Sequence, residues 1–204
     1  MTPDMDVEQH PWEPFLPSNA RLLMLGSFPP PRKRWSMDFY YPNWTNDMWR
    51  VVGLLFFGDK EHFVQEGKKA FCRGRLEAFL HEKGIALFDT ASAVRRLQDN
   101  ASDKFLEVVR PTDVGVLLRR LPQCQAIVTT GEKATETLCA QFFLARPKVG
   151  DFVEFLFEGR PMRLYRMPST SRAYPLALEK KAAAYRVMYQ DLGLLQVGSS
   201  AKKQ

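Results

Sequence analysis

The sequence predicts an α/β fold of three layers, α/β/α, with helices on both faces of a central, mostly parallel sheet of about four or five strands. Two observations carry that reading. Short, nearly continuous apolar runs, as expected of strands buried on both faces, occur at RLLMLG (21–26), IALFDT (85–90) and QAIVTTG (125–131). Segments with helical spacing lie between them, and such alternation favours parallel strands joined by helical crossovers. The 204 residues suffice for one domain with a full core, and the sequence shows neither an internal repeat nor a second domain.

The elements follow in order. Residues 1–19 carry scattered prolines and read as an irregular arm, with His10, Pro11, Trp12 and Phe15 available to pin it to the body. After the first strand, SFPPPRKRWSMDFYYPNWTN forms a long loop, and loops of that length within a compact domain are usually functional. DMWRVVGLLFF is helical, with Met48, Val51, Val52 and Leu55 on one face. HFVQEGKKAFCRGRLEAFLHEKG is a helix or a pair of helices closed by Gly84. PTDVGVLLRRLP is a helix with Thr112 as its cap, and EKATETLCAQFF another. FVEFLFEG and MRLYRMP are two further strands turning through Glu158 to Pro161, and LALEKKAAAYRVMYQDLGLL is the C-terminal helix. The domain thus spans 20–195, and 196–204 form a polar, disordered tail.

Composition excludes several classes. A hydrophobic share of 45% and a charged share of 25% are those of a folded globular protein. No apolar run reaches membrane-spanning length, and the N-terminus lacks the basic-then-apolar pattern of a secretion signal, so a cytoplasmic location and no membrane association are expected. Cys72, Cys124 and Cys139 are widely spaced and form no CxxC pair. That spacing argues against a zinc site, a disulfide framework or a four-cysteine iron–sulfur cluster; no metal or other cofactor is expected. The net charge of +6 suits a polyanionic partner.

In such sheets ligands bind beyond the C-terminal strand ends, where four stretches stand out: GSFPP, FDTA, TTGEK and MPSTSRAYP. Gly26 permits a sharp turn, and Pro29, Pro30 and Pro31 stiffen its exit. Tyr40, Tyr41, Pro42, Asn46 and Trp49 follow, and flat rings suit the stacking of an extruded nucleobase, although an aromatic loop can also simply cover a core. Ser169, Thr170 and Ser171 offer hydroxyls and amides to phosphate oxygens, and Arg172 adds charge for a wedge into a duplex; the plainer reading is a serine-rich helix cap. Gly131 to Lys133 either bind phosphate through amides and the ammonium group or form an ordinary strand-to-helix turn. Arg32, Lys33 and Arg34 suit a DNA backbone or a solvated face. His10, His62 and His81 match no motif.

Taken together, Leu25-Gly26-Ser27-Phe28-Pro29, Tyr40-Tyr41-Pro42 with Asn46-Asp47-Met48-Trp49, GIALFD at 84–89 and Met167-Pro168-Ser169-Thr170-Ser171 resemble the motifs of the uracil-DNA glycosylase superfamily. They are most similar to its hypoxanthine (deoxyinosine) DNA glycosylase branch, and the resemblance spans roughly residues 20–192. It implies a uracil-DNA glycosylase-like fold and a monofunctional DNA glycosylase of base-excision repair. Such an enzyme flips out a deaminated base, hypoxanthine or uracil, and hydrolyses its N-glycosidic bond. Its partner is DNA containing the damaged base, and a monomer suffices for the task.

On this resemblance, Gly26, Ser27, Phe28, Pro29, Tyr41 and Asp89 contact the base, while Lys133, Pro168, Ser169, Thr170, Ser171 and Arg172 contact DNA. Three departures mark this chain: Pro30 replaces a second glycine, Asn46 lies further from Pro42, and Met167 stands where a histidine often begins the last loop. Some superfamily members hold the attacking water with Asp or Asn at the third place of the first motif, a place taken here by Phe28. That task must therefore move. Asn46 is the first candidate, to orient water or touch the base; Asn43 is the second, and Asp38 and Asp47 are loop carboxylates able to act as bases or simply to be solvated. An ionised Asp89 only accepts hydrogen bonds. It would either accept from a base N–H or cap a following helix through the Thr90 and Ala91 amides. The alternative function is a superfamily member that binds nucleic acid or a nucleotide without turnover, motivated by Phe28 and Met167.

Overall fold

The computed structural model describes residues 6–98 and 102–198. Five strands form the central sheet in the order β3-β2-β6-β8-β7, namely Ile85–Asp89, Leu22–Gly26, Ala126–Thr130, Arg160–Met167 and Phe152–Phe157. β2, β3, β6 and β8 run parallel, and β7 pairs antiparallel with β8. Every residue of β2, β3 and β6 is buried, which is why each reads as an unbroken apolar run.

Helix α1 (Met48–Phe57) buries the face read from its spacing, Met48, Val51, Val52 and Leu55, and packs on the C-terminal helix α5 (Leu178–Asp191). α2 (Arg73–Lys83) ends at Gly84, whose φ of 69° suits glycine. α3 (Val114–Arg119) is capped by Asp113, whose Oδ1 accepts from the Val116 amide at 3.2 Å, and not by Thr112. The Thr112 hydroxyl instead donates to the Asp89 carbonyl at 2.7 Å, tying the chain entering α3 to the end of β3. α4 (Glu132–Phe142) starts directly from β6 through Gly131. Among the described residues, no helix is long and apolar enough to cross a membrane.

A second, three-stranded antiparallel sheet was not anticipated. It comprises β1 (Val7–Gln9), β4 (Ala91–Arg96) and β5 (Leu106–Pro111) in the order β1-β4-β5. The arm is therefore not wholly irregular: Val7–Gln9 pairs with Ala93–Arg95. Further on, Phe15 exchanges both backbone hydrogen bonds with Leu87, at 3.0 and 2.9 Å, and so covers the free edge of β3. Nor does a helix follow Asp89, because β4 begins two residues later. Of the expected tail, Gln196 to Gly198 belong to no element and 199–204 lie outside the described residues.

Candidate functional site

The C-terminal ends of β2, β3, β6 and β8 open into a cleft of about 570 Å³, within the range of small-ligand sites. Its floor is Gly26. A Cβ there would lie 2.7 Å from Asp89 Oδ1 and 3.4 Å from the Tyr41 hydroxyl, so glycine lets a carboxylate and a phenol converge over the strand end. Tyr41 holds a left-handed backbone, φ 51°, which aims its hydroxyl at Thr130 Oγ1, 3.1 Å away. Burial, with the Asp89 charge adding to it, pushes the Tyr41 phenol well above its ordinary value and keeps it neutral.

Two of the acidic groups that line the cleft, Asp89 and Asp103, are each held by a neighbouring side chain. Asp89 Oδ2 lies 2.8 Å from His10 Nε2, with the two side chains only 9% and 4% exposed. Since a carboxylate accepts, Nε2 carries the proton of that bond. The His10 ring sits among Trp12, Phe28, Tyr40 and Phe88, with ring centroids 4.5 to 6.1 Å apart. Asp103, from the 3-10 turn Asp103–Phe105 between β4 and β5, accepts a hydrogen bond from the Ser27 hydroxyl. Burial, reinforced by Asp89, pushes the Asp103 carboxyl up to about 6, against the Ser27 bond and the charges of Arg96 and Lys133.

The last loop closes the cleft and is fastened to the first. The Asp47 amide donates to the Thr170 carbonyl at 2.8 Å. The Asp47 carboxylate takes Arg172 Nε at 3.2 Å and Lys181 Nζ at 3.0 Å. Lys181 is fully buried and also donates to the Ser171 carbonyl at 2.9 Å. The Ser169 hydroxyl accepts from the Ser171 amide at 3.2 Å and shapes the turn. Gly131, φ 96°, starts α4 beneath this loop, directing the helix N-terminus and Lys133 at the cleft.

The cleft lining thus brings together Gly26, Ser27, Phe28, Pro29, Tyr41, Asn43, Asn46, Asp89, Lys133, Ser169, Thr170, Ser171 and Arg172. Several expected residues lie elsewhere, the rings of Tyr40 and Trp49 being buried in the core. Asp38 is exposed, outside the lining, and its carboxylate accepts from the Trp12 indole at 2.8 Å. Pro168 is buried beneath the loop, its carbonyl held by the Tyr185 hydroxyl at 3.0 Å. Asp47, read as a loop carboxylate, is a buried fastener and not a cleft group. Asp89 caps no helix: the Thr90 and Ala91 amides donate to the Gly26 and Ser27 carbonyls. Asn46 Oδ1 is committed to the Met48 amide at 2.9 Å, and Asn43 Oδ1 to Thr45, so their amide NH2 groups are the donors on offer.

Sequence reasoning missed His10, Trp12, Asp103 and Thr130. The TTGEK stretch contained Thr130 and the arm contained both His10 and Trp12, whereas nothing local marked Asp103. Among the described residues, no group of three His, Cys, Asp or Glu is placed to hold a metal ion.

A five-stranded, mostly parallel sheet with a ligand-sized cleft at the strand ends and a loop from each half closing over it defines a three-layer α/β fold. The chain matches no protein-family model and no curated protein. Among solved structures, its fold is shared by the NMR structure of "a putative Uracil DNA glycosylase from Methanosarcina acetivorans". The TM-score is 0.60 at 21% identity, over 92% of this chain and 99% of that one. The likeness is one of fold.

Proposed function

We propose that this protein is a monofunctional DNA glycosylase of the uracil-DNA glycosylase superfamily. It flips a deaminated base, hypoxanthine or uracil, out of DNA and hydrolyses the N-glycosidic bond. The observation that carries this reading is the meeting of two distant segments, Gly26–Trp49 and Met167–Arg172, around one cleft whose lining includes Phe28, Tyr41, Lys133 and Arg172.

The chemistry of the lining matches the demands of the reaction. Phe28 and Tyr41 offer ring faces to a base, and Asp89 offers an acceptor to a base N–H. Asn46 Nδ2 donates to a base carbonyl, where negative charge grows as the base leaves. The Ser169–Ser171 turn, the α4 N-terminus and Lys133 take the flanking phosphates, and Arg172 at the rim enters the gap left by the flipped base. The exposed Arg32–Arg34 turn, just beyond Pro30, extends the cationic track along the backbone.

The test is a panel of single- and double-stranded oligonucleotides, each with one deaminated base, scored for abasic sites. Cleavage of a hypoxanthine- or uracil-containing strand is expected, and Asn46→Ala lowers the rate by about 10²-fold. Tight binding to the same DNA without cleavage would point instead to a binding protein that has lost turnover, as Phe28 first suggested. Neither binding nor cleavage on any member of the panel sinks the proposal.

A further inference from the structure

We propose that Asp103 accepts the proton of the attacking water, a task that the apolar Phe28 cannot perform and that passes to the β4–β5 hairpin. The inference rests on the glycosylase reading above.

The geometry is as follows. Ser27 and Phe28 are adjacent, yet only Ser27 bears a polar group, and its hydroxyl is spent on Asp103. Asp103 is therefore tied to the first motif through Ser27, next to Phe28, whose own ring packs on His10, Ala91, Val94 and Leu106. Its other flank reaches the phosphate side of the cleft: a Cβ on Gly131 would lie 4.0 Å from Asp103 Oδ2 and 3.8 Å from the Ser169 Cβ. The carboxylate thus stands between the base-binding floor and the phosphate loop, where the sugar of a flipped nucleoside must pass. Of the other acids of the lining, Asp89 is held by His10 over Gly26, on the base side, and Glu132 and Glu136 belong to α4. Asn46 and Asn43 have their carbonyl oxygens committed to backbone amides and offer only donors, so neither serves as a base.

In the step, the water oxygen forms a bond to the anomeric carbon as the bond from that carbon to the base nitrogen breaks. The electron pair of the broken bond leaves with the base, which takes a proton from solvent. The water proton passes to the Asp103 carboxylate and then to solvent. Before the water arrives, the same carboxylate faces the positive charge growing on the sugar. A general base works best near the operating pH, and burial with the Asp89 charge brings Asp103 up to about 6. The ionisable groups facing it are Asp89 on β3 (itself bonded to His10), Arg96 on β4, Lys133 on α4 and Tyr41.

The experiment measures single-turnover cleavage of the best panel substrate against pH for the wild type, Asp103→Asn and Ser27→Ala. It also measures binding to duplexes bearing a cationic pyrrolidine or a neutral tetrahydrofuran abasic analogue. The wild-type rate should rise through a step near pH 6 and level off above it. Asp103→Asn should fall by about 10²- to 10⁴-fold and lose the step. It should also bind the cationic analogue ~10-fold more weakly while holding the neutral one. Ser27→Ala, which removes the bond that lowers the Asp103 value, should move the step to higher pH. This variant also serves if Asp103→Asn fails to fold. A wild type that cleaves while Asp103→Asn keeps the step or stays within ~3-fold of its rate overturns the assignment of Asp103 and leaves the glycosylase reading standing. An unmoved step in Ser27→Ala likewise overturns it. A wild type that cleaves no deaminated base overturns both.

Discussion

Lys181→Met removes the cation that joins the two halves of the cleft. Lys181 Nζ donates to Asp47 Oδ2 at 3.0 Å and to the Ser171 carbonyl at 2.9 Å, and the residue is fully buried on α5. Methionine has nearly the same length, so little packing is lost and the cost is electrostatic. Removing one member of a buried ion pair costs about 3–5 kcal/mol, because the partner charge stays buried and uncompensated. Arg172 still reaches Asp47 Oδ1 at 3.2 Å, but its side chain is 53% exposed, so it offsets only part of that loss. The lower end is therefore expected, about 3 kcal/mol, with the unpaired Ser171 carbonyl included. Urea denaturation monitored by tryptophan fluorescence measures it directly. The double variant Asp47→Leu with Lys181→Met should recover at least ~1–2 kcal/mol relative to the sum of the single changes. A loss below ~1 kcal/mol in the single variant, or strict additivity in the double, would refute the claim that this pair holds the first and last motifs together.

Three other perturbations follow from the same geometry. Gly26→Ala places a Cβ 2.7 Å from Asp89 Oδ1; the displaced carboxylate should cost about 10²-fold in cleavage rate while the circular dichroism spectrum stays that of the wild type. His10→Ala leaves the Asp89 carboxylate buried without its partner, and thermal unfolding should show a loss approaching 3 kcal/mol. Asp103→Asn should stabilise the fold at pH 8. The native carboxyl is raised from 3.8 to about 6, so the native state binds its proton more tightly than the unfolded state, and stability falls as pH rises through that window. The gain at pH 8, about 1–2 kcal/mol after allowance for partial solvation, should disappear near pH 4 in melting curves taken across that range.

The central sheet was readable because β2, β3 and β6 are buried on both faces and so form unbroken apolar runs. β4 and β5 were not, because ASAVRR and LEVVRP interrupt their apolar residues with serine, glutamate, arginine and proline, and neither is buried along its whole length. Part of the cleft lining was legible for a related reason: Gly26, Asp89 and Gly131 end or directly follow buried strands. What could not be read were pairings across long stretches of chain. His10 meets Asp89 across 79 positions, Ser27 meets Asp103 across 76 and Asp47 meets Lys181 across 134. His10 fits no motif of its own, and its role comes from a three-residue strand, β1, that brings the arm alongside β4. Asp38 misled in the opposite way: its loop does border the cleft, but its carboxylate is taken up by the Trp12 indole and stays out of the lining.

The most direct measurement is a crystal structure with a duplex carrying a fluorinated, non-cleavable analogue of the deaminated nucleoside. The account predicts the base outside the helix, stacked against Phe28 and Tyr41, with an N–H on Asp89 and the flanking phosphates on the Ser169–Ser171 turn. A base left stacked in the duplex, or DNA bound on another face of the protein, would contradict it.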